Sequence, residues 1–224
     1  MKLTKMFKQA AIVTAIGASV LLTGCNNANT VAEAPATING MKAGGHEYIL
    51  TVTRPNQLHI VDTETNKLIR TCDVPGVFGN GGIAMSPDGR IAYVMTNKWE
   101  DVYGFDITNC DIKFSVKQSY DNVQVKSITS MAVSADGKEL YTVQNPVRKL
   151  PGRFEPRAPR LSVFNTDDGR NAKPVRTFPV DRRITKIGAM HNGEVILGGG
   201  DLKAIDPQNG KTRMIKALQN WDRA

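Results

Sequence analysis

The chain contains no Cys-x-x-Cys-His, no Cys-x-x-Cys, no Gly-x-Ser-x-Gly and no glycine-rich phosphate loop. A haem-attachment site, a dithiol pair, a nucleophile elbow and a nucleotide cradle are thereby excluded in their recognisable forms. Its three histidines, His46, His59 and His191, follow no metal-ligand spacing. His59 falls inside a strand-like segment, where a packed or edge imidazole is the expected role. Gly198-Gly199-Gly200 stands where a strand turns, and most Asp and Glu residues close turns rather than form an acid–base pair. The chain alone is therefore expected to catalyse nothing and to bind neither metal nor cofactor.

A basic helix or an aromatic-interleaved basic stripe is also missing, which argues against nucleic acid as a partner. The formal charge is +8, from 29 Lys and Arg against 21 Asp and Glu. Loss of Lys2, Lys5 and Lys8 with a leader would leave 26 against 21. That excess suits an acidic partner or an anionic headgroup surface. With 41% hydrophobic and 22% charged residues, the composition is that of a globular core.

What is present is repetition. Leu58-His-Ile-Val-Asp62, Val102-Tyr-Gly-Phe-Asp106, Leu161-Ser-Val-Phe-Asn165 and Leu202-Lys-Ala-Ile-Asp206 share one pattern, closed by Asp or Asn at spacings of 44, 59 and 41. The closing residue can bond its own backbone two residues on and nucleate a turn. A second motif recurs in phase with it: Tyr48–Val52, Ile91–Val94, Leu140–Val143 and Val195–Leu197. Three copies of that motif follow Asp88-Gly89, Asp136-Gly137 or Asn192-Gly193, read as tight turns with positive φ. Ile91, Tyr93 and Met95 alternate with Ala92 and Val94, so both faces of this strand are apolar and both need covering. A period of ~40–50 residues with four short strands per unit is the signature of a β-propeller blade. The expected fold is all-β, a β-propeller with four recognisable blade units; a β-sandwich with hairpins of similar length is the alternative.

Residues 1–24 read as a lipoprotein signal peptide: Lys2, Lys5 and Lys8, an apolar Ala10–Leu22, then Leu22-Thr-Gly-Cys25. This tetrapeptide resembles a bacterial lipobox, with Cys25 the lipidated residue. The expected location is the periplasm, lipid-anchored to the inner or outer membrane. Residues 25–45 read as a flexible tether and 46–224 as propeller blades, with an incomplete ring the expectation. Cys72 and Cys110 would lie on adjacent blades in an oxidising compartment, placed either for a disulfide or as two separate thiols. The longest spacing contains an insertion, Asn145–Pro159, with Arg148, Lys149, Arg153 and Arg157 against Glu155 and four prolines; Arg160 follows it. It is expected to be a loop that docks another polypeptide, or a solvated loop with no partner.

Tyr93–Asn97 and Tyr141–Pro146, each preceded by SPDG or SADG, resemble YVTN-type propeller repeats. The longer runs TVTRPN, NKWEDVYGFD and VQNPVR are similar to the β subunit of quinohaemoprotein amine dehydrogenase, over roughly residues 46–221. The resemblance implies a periplasmic complex oxidising primary amines to aldehydes. A γ subunit would carry cysteine tryptophylquinone, and an α subunit two c-type haems. The β subunit would be a seven-bladed, non-catalytic propeller seating the γ subunit. The chain departs from the family in its four units and in its lipobox. The alternative is a free-standing lipid-anchored propeller that binds a protein or ligand at the cell envelope. A lactonase-like hydrolase would need a set of channel carboxylates or histidines that the sequence does not offer.

Overall fold

The computed structural model describes residues 37–38, 41–42, 47–79, 82–128 and 130–215, all within one compact unit, Val31–Ala224. The leader with Cys25, and His46, lie outside the described residues. Within the stretch read as a tether, β1 (Thr37–Ile38) pairs with β2 (Met41–Lys42) in a small ribbon.

Ser86-Pro-Asp-Gly89 shows how the local sequence makes a blade. Gly89, at φ 70, donates its N–H to the Ser86 carbonyl, while the Asp88 carboxylate accepts from the Ser86 hydroxyl and the Arg90 N–H. The Ser86 hydroxyl oxygen in turn accepts the Ile91 N–H, which starts the next strand. Ser134–Gly137 repeats every one of these bonds. The aspartates serve as acceptors, and only the glycines take the left-handed conformation, so the expectation of positive φ at both turn residues is corrected.

Four antiparallel sheets follow in chain order. The first blade is β3 (Tyr48–Thr53), β4 (Gln57–Asp62) and β5 (Lys67–Asp73), three strands among the described residues. The second is β6 (Gly82–Met85), β7 (Ile91–Thr96), β8 (Asp101–Asp106) and β9 (Ile112–Lys117). β10 (Val123–Lys126) lies on the crossing to the third blade. That blade is β11 (Met131–Val133), β12 (Glu139–Leu150), β14 (Arg160–Asn165) and β15 (Arg176–Pro179), with β13 (Arg153–Pro156) attached to β12. The fourth is β16 (Lys186–Ala189), β17 (Val195–Gly198), β18 (Leu202–Ile205) and β19 (Thr212–Met214). The innermost strands β6, β11 and β16 pack side by side, as propeller blades do.

Apolar faces stack between blades. Leu58, Ile60 and Cys72 of the first blade meet Ala92, Val94 and Phe105 of the second. Tyr93, Met95 and Phe114 of the second meet Leu140 and Phe164 of the third, and Tyr141, Leu161 and Val163 of the third meet Val195, Leu197 and Ile205 of the fourth. The disulfide Cys72–Cys110, Cα–Cα 5.4 Å, ties the outer strand of the first blade to a turn of the second.

The Asp-closed turns behave as expected at three of four sites. Asp62, Asp106 and Asp206 each accept the N–H two residues on. Asn165 instead donates to the carboxylate of Asp168. Asp106 is fully buried and also takes the Thr108 hydroxyl and the Arg90 guanidinium at 2.9 Å. Burial alone pushes its carboxyl up, but the Thr108 hydrogen bonds and Arg90 outweigh it and hold Asp106 below its ordinary value. Its contribution to stability is thus full above the usual carboxylate value of about 4 and is lost as pH falls through the lower folded value. Asp106→Ala is expected to cost about 2–4 kcal/mol at neutral pH. Urea unfolding should show that gap to wild type narrowing in acid; a gap unchanged down to pH 2.5 would contradict the assignment.

Candidate docking face

Because neighbouring strands run antiparallel, all connections fall at two ends of the blades. The Ser-x-Asp-Gly and Asp-closed turns share one end. The other, here the crossing end, carries the β3–β4, β7–β8, β12–β14 and β17–β18 connections and every passage from blade to blade. Arg54-Pro-Asn56, Asn97–Glu100 and Gln144–Arg148, the tips of the three most distinctive sequence runs, all lie at the crossing end.

Its base is the β7–β8 corner. Asn97, Lys98 and Trp99 take φ of 49°, 55° and 72° in succession, with no glycine among them. A left-handed Trp is a backbone outlier that surrounding bonds must hold. The Asn97 N–H donates to Val77, its side-chain amide to Asp101 at 3.1 Å, and the Trp99 carbonyl accepts from the Ser127 N–H at 3.0 Å and the Gln118 amide at 3.3 Å. Burial raises the pKa of Asp101, opposed by Asn97 and Lys117. Thr96 and Asn56 lock the corner to the first blade, where the Asn56 amide also donates to the Val74 carbonyl at 2.8 Å.

Beside the corner, a buried polar network joins the second and third blades. The Gln118 side-chain carbonyl accepts from Ser127, Thr142 and Gln144 at 2.8, 3.1 and 3.1 Å. The Gln144 carbonyl accepts from Arg160 Nε at 2.8 Å. Such a network rigidifies what stands on it.

What stands on it is a β-ribbon. The insertion expected as a loop is ordered structure: β12 continues past the blade, turns at Pro151-Gly152 and returns as β13, while β10 pairs with its other edge. The register sorts the five predicted cations. Arg148 stands opposite Glu155 and Lys149 opposite Phe154, so by strand alternation Arg148, Arg153, Glu155 and Arg157 share one face of the ribbon. Lys149, Phe154 and Pro156 share the other. Glu155 sits 3.9 Å from Arg148 and 3.8 Å from Arg157. Phe154 is 71% exposed, the most exposed large apolar side chain among the described residues. Arg160 is not part of the ribbon's surface: it is committed to Gln144 and lies 5.9 Å from the Tyr120 ring. Two further cation–aromatic pairs stand at the same end, Arg54 over Phe78 at 5.1 Å and Lys126 over Trp99 at 5.8 Å. Sequence reading found the cations but not these ring partners, which come from different blades and crossings.

The turn end holds a cleft of about 720 Å³ between the third and fourth blades, lined by Glu139, Tyr141, His191, Glu194 and Gln208 among others. Its acids are already engaged. Glu139 accepts from the Tyr141 hydroxyl at 2.8 Å, pairs with Arg176 and takes the Gln208 amide; Glu194 pairs with Arg213. Burial, then the Glu139 bond, push the Tyr141 phenol far above its usual value, so it acts as a neutral donor. Glu139 replaces the Ile91 of the second blade's repeat, a departure legible in the sequence once the two units are aligned. His59 lies between the Thr53 and Thr71 hydroxyls at 2.7 and 2.9 Å. Among the described residues no group of three His, Cys, Asp or Glu stands close enough to hold a metal ion.

No family model and no curated protein matches the chain. Solved structures do. Hydrazine synthase of Kuenenia stuttgartiensis is similar at 17% identity and TM-score 0.51, over 74% of this chain and 48% of that one. BamB from Moraxella catarrhalis is similar at 15% identity and TM-score 0.53, over 75% and 45%. U3-55K is similar at 11% identity and TM-score 0.53, over 74% and 47%. The chain thus spans about half the length of the solved chains it matches. At these identities the likeness shows the fold, a β-propeller, and nothing of activity.

Proposed function

We infer that this chain is a non-catalytic propeller scaffold whose crossing end seats a protein partner. The observation that carries the reading is the cationic ribbon, raised on a rigid polar network and tipped by an exposed Phe154. The arginines stand on one face of the ribbon and Phe154 on the other, and both residue types are enriched at protein interfaces. In the turn-end cleft Glu139 is held by Tyr141, Gln208 and Arg176, and Glu194 by Asn192 and Arg213.

The finer reading is a β subunit of a periplasmic quinohaemoprotein amine dehydrogenase complex oxidising primary amines to aldehydes. It rests on the resemblance of TVTRPN, NKWEDVYGFD and VQNPVR, whose connecting residues meet at the crossing end. The partners would be a γ subunit with cysteine tryptophylquinone and an α subunit with c-type haem; this chain would hold neither group. Lipidation at Cys25 would keep the assembly at a bacterial membrane. The test is affinity capture of the lipidated chain from native membranes, with haem and quinone redox-cycling stains on co-eluting bands. A haem-positive large band with a quinone-positive small one is the expected result. Partners bearing neither group would sink the amine dehydrogenase reading in favour of a free-standing lipid-anchored propeller.

A further inference from the structure

The ribbon's two guanidinium groups hold a carboxylate of their own, loosely. Glu155 lies between Arg148 and Arg157 at the long end of ion-pair distance, and all three side chains are 39–49% exposed. Each guanidinium carries five donors in a planar fork suited to bidentate carboxylate binding. Here those donors are underused. The buried Arg148 Nε has no acceptor, and the 3.8 and 3.9 Å separations exceed hydrogen-bond length. Arg153 adds a third cation on the same face. An exposed pair of this kind is weakly held, so a better-placed acid displaces it readily.

We propose that Arg148 and Arg157 form a receptor for an Asp or Glu side chain of an acidic, extended polypeptide, and that Glu155 is its resident competitor. The proposal rests on reading the ribbon as the docking element. The occupant's chemistry follows from the one already present: a carboxylate borne on a strand. It lies against the ribbon's face rather than adding to its edge. The Arg157 N–H bonds Pro146 of β12, so by alternation Pro156 faces the free edge, where it offers no N–H. Binding swings Glu155 out, and the incoming acid takes the short, charge-assisted bonds that Glu155 does not make.

The competitor gives the test a sign. Binding of a fluorescein-labelled Glu/Ser-rich peptide is measured by anisotropy, with its Gln/Ser counterpart and phosphatidylglycerol vesicles as comparisons. Glu155→Gln should tighten the Glu peptide by about two- to fivefold, because the internal acid no longer competes. Arg148→Gln with Arg157→Gln should weaken it by about tenfold or more, and Arg157→Lys by less. Added salt should weaken all three. Thermal unfolding checks that each variant is folded, which half-exposed positions permit. Equal affinity for the Glu and Gln peptides, no gain with Glu155→Gln, or binding to vesicles alone would overturn the proposal. Peptide binding as expected with no haem- or quinone-bearing partner recovered keeps this site and removes the amine dehydrogenase reading. Such partners recovered without peptide discrimination do the reverse.

Discussion

Replacing both Cys72 and Cys110 with alanine lowers the unfolding free energy by about 3–4 kcal/mol, the expected effect of releasing a loop of this length. The bridge spans 38 residues and crosses from the first blade to the second. It constrains the unfolded chain, and it also clamps a blade that has only three strands among the described residues. Cys72 is buried in the seam with Leu58, Ile60, Val94 and Phe105, so alanine there also loses a little packing. For a domain of this size the change should lower Tm by about 8–14 °C. Reductant should shift wild type toward the variant and leave the variant where it is. A wild type insensitive to reductant, with the double variant equally stable, would mean that the two sulfurs are not bonded.

Phe164→Ala is expected to cost about 3–5 kcal/mol, as large a loss by a different route. Phe164 is fully buried on β14 and packs in the cluster that joins the second and third blades with Tyr93, Met95, Phe114 and Leu140. Tyr93 and Phe114 meet edge to face at 5.6 Å in that cluster, and Gly104 lies so near them that an added Cβ would stand 3.0 Å from each. Packing this tight leaves little room for collapse into the cavity. The Phe164 seam and the Cys72 seam are separate clusters, so combining the variants should give nearly the sum of the two losses in urea unfolding. A cost below about 1 kcal/mol for Phe164→Ala would show that the blades do not stack through this residue.

The blades were legible because their signals are local. Alternation in Ile91–Thr96 and the Ser-x-Asp-Gly turns act within a few residues, and the structure keeps them. The ribbon is not legible as strand from the sequence, where Pro146, Pro151 and Pro156 speak against one. Yet Pro151 sits in its turn, and Pro156 stands on an outer edge where a missing N–H breaks no pairing. Asn97–Glu100 is legible as a turn, but its left-handed backbone is not: positive φ is reached without glycine, held by the Asn97 N–H donating to Val77 and by Ser127 and Gln118 donating to Trp99. The Gln118–Gln144–Arg160 network joins residues far apart in sequence and becomes visible only once the third blade is placed against the second. Sequence reading therefore named the cations but could not say that Arg160 supports the ribbon while Arg148, Arg153 and Arg157 face outward.

Seating of a partner by the ribbon is tested on the ribbon's own cations. The most direct measurement captures wild type and an Arg148→Gln, Arg153→Gln, Arg157→Gln variant from matched native membranes and quantifies the co-eluting protein. The three side chains are exposed or half-exposed, so the variant should unfold at nearly the wild-type temperature. The variant is expected to recover at most about a tenth of the partner that wild type recovers. Equal recovery by the two would contradict this seating and move the docking surface elsewhere on the propeller.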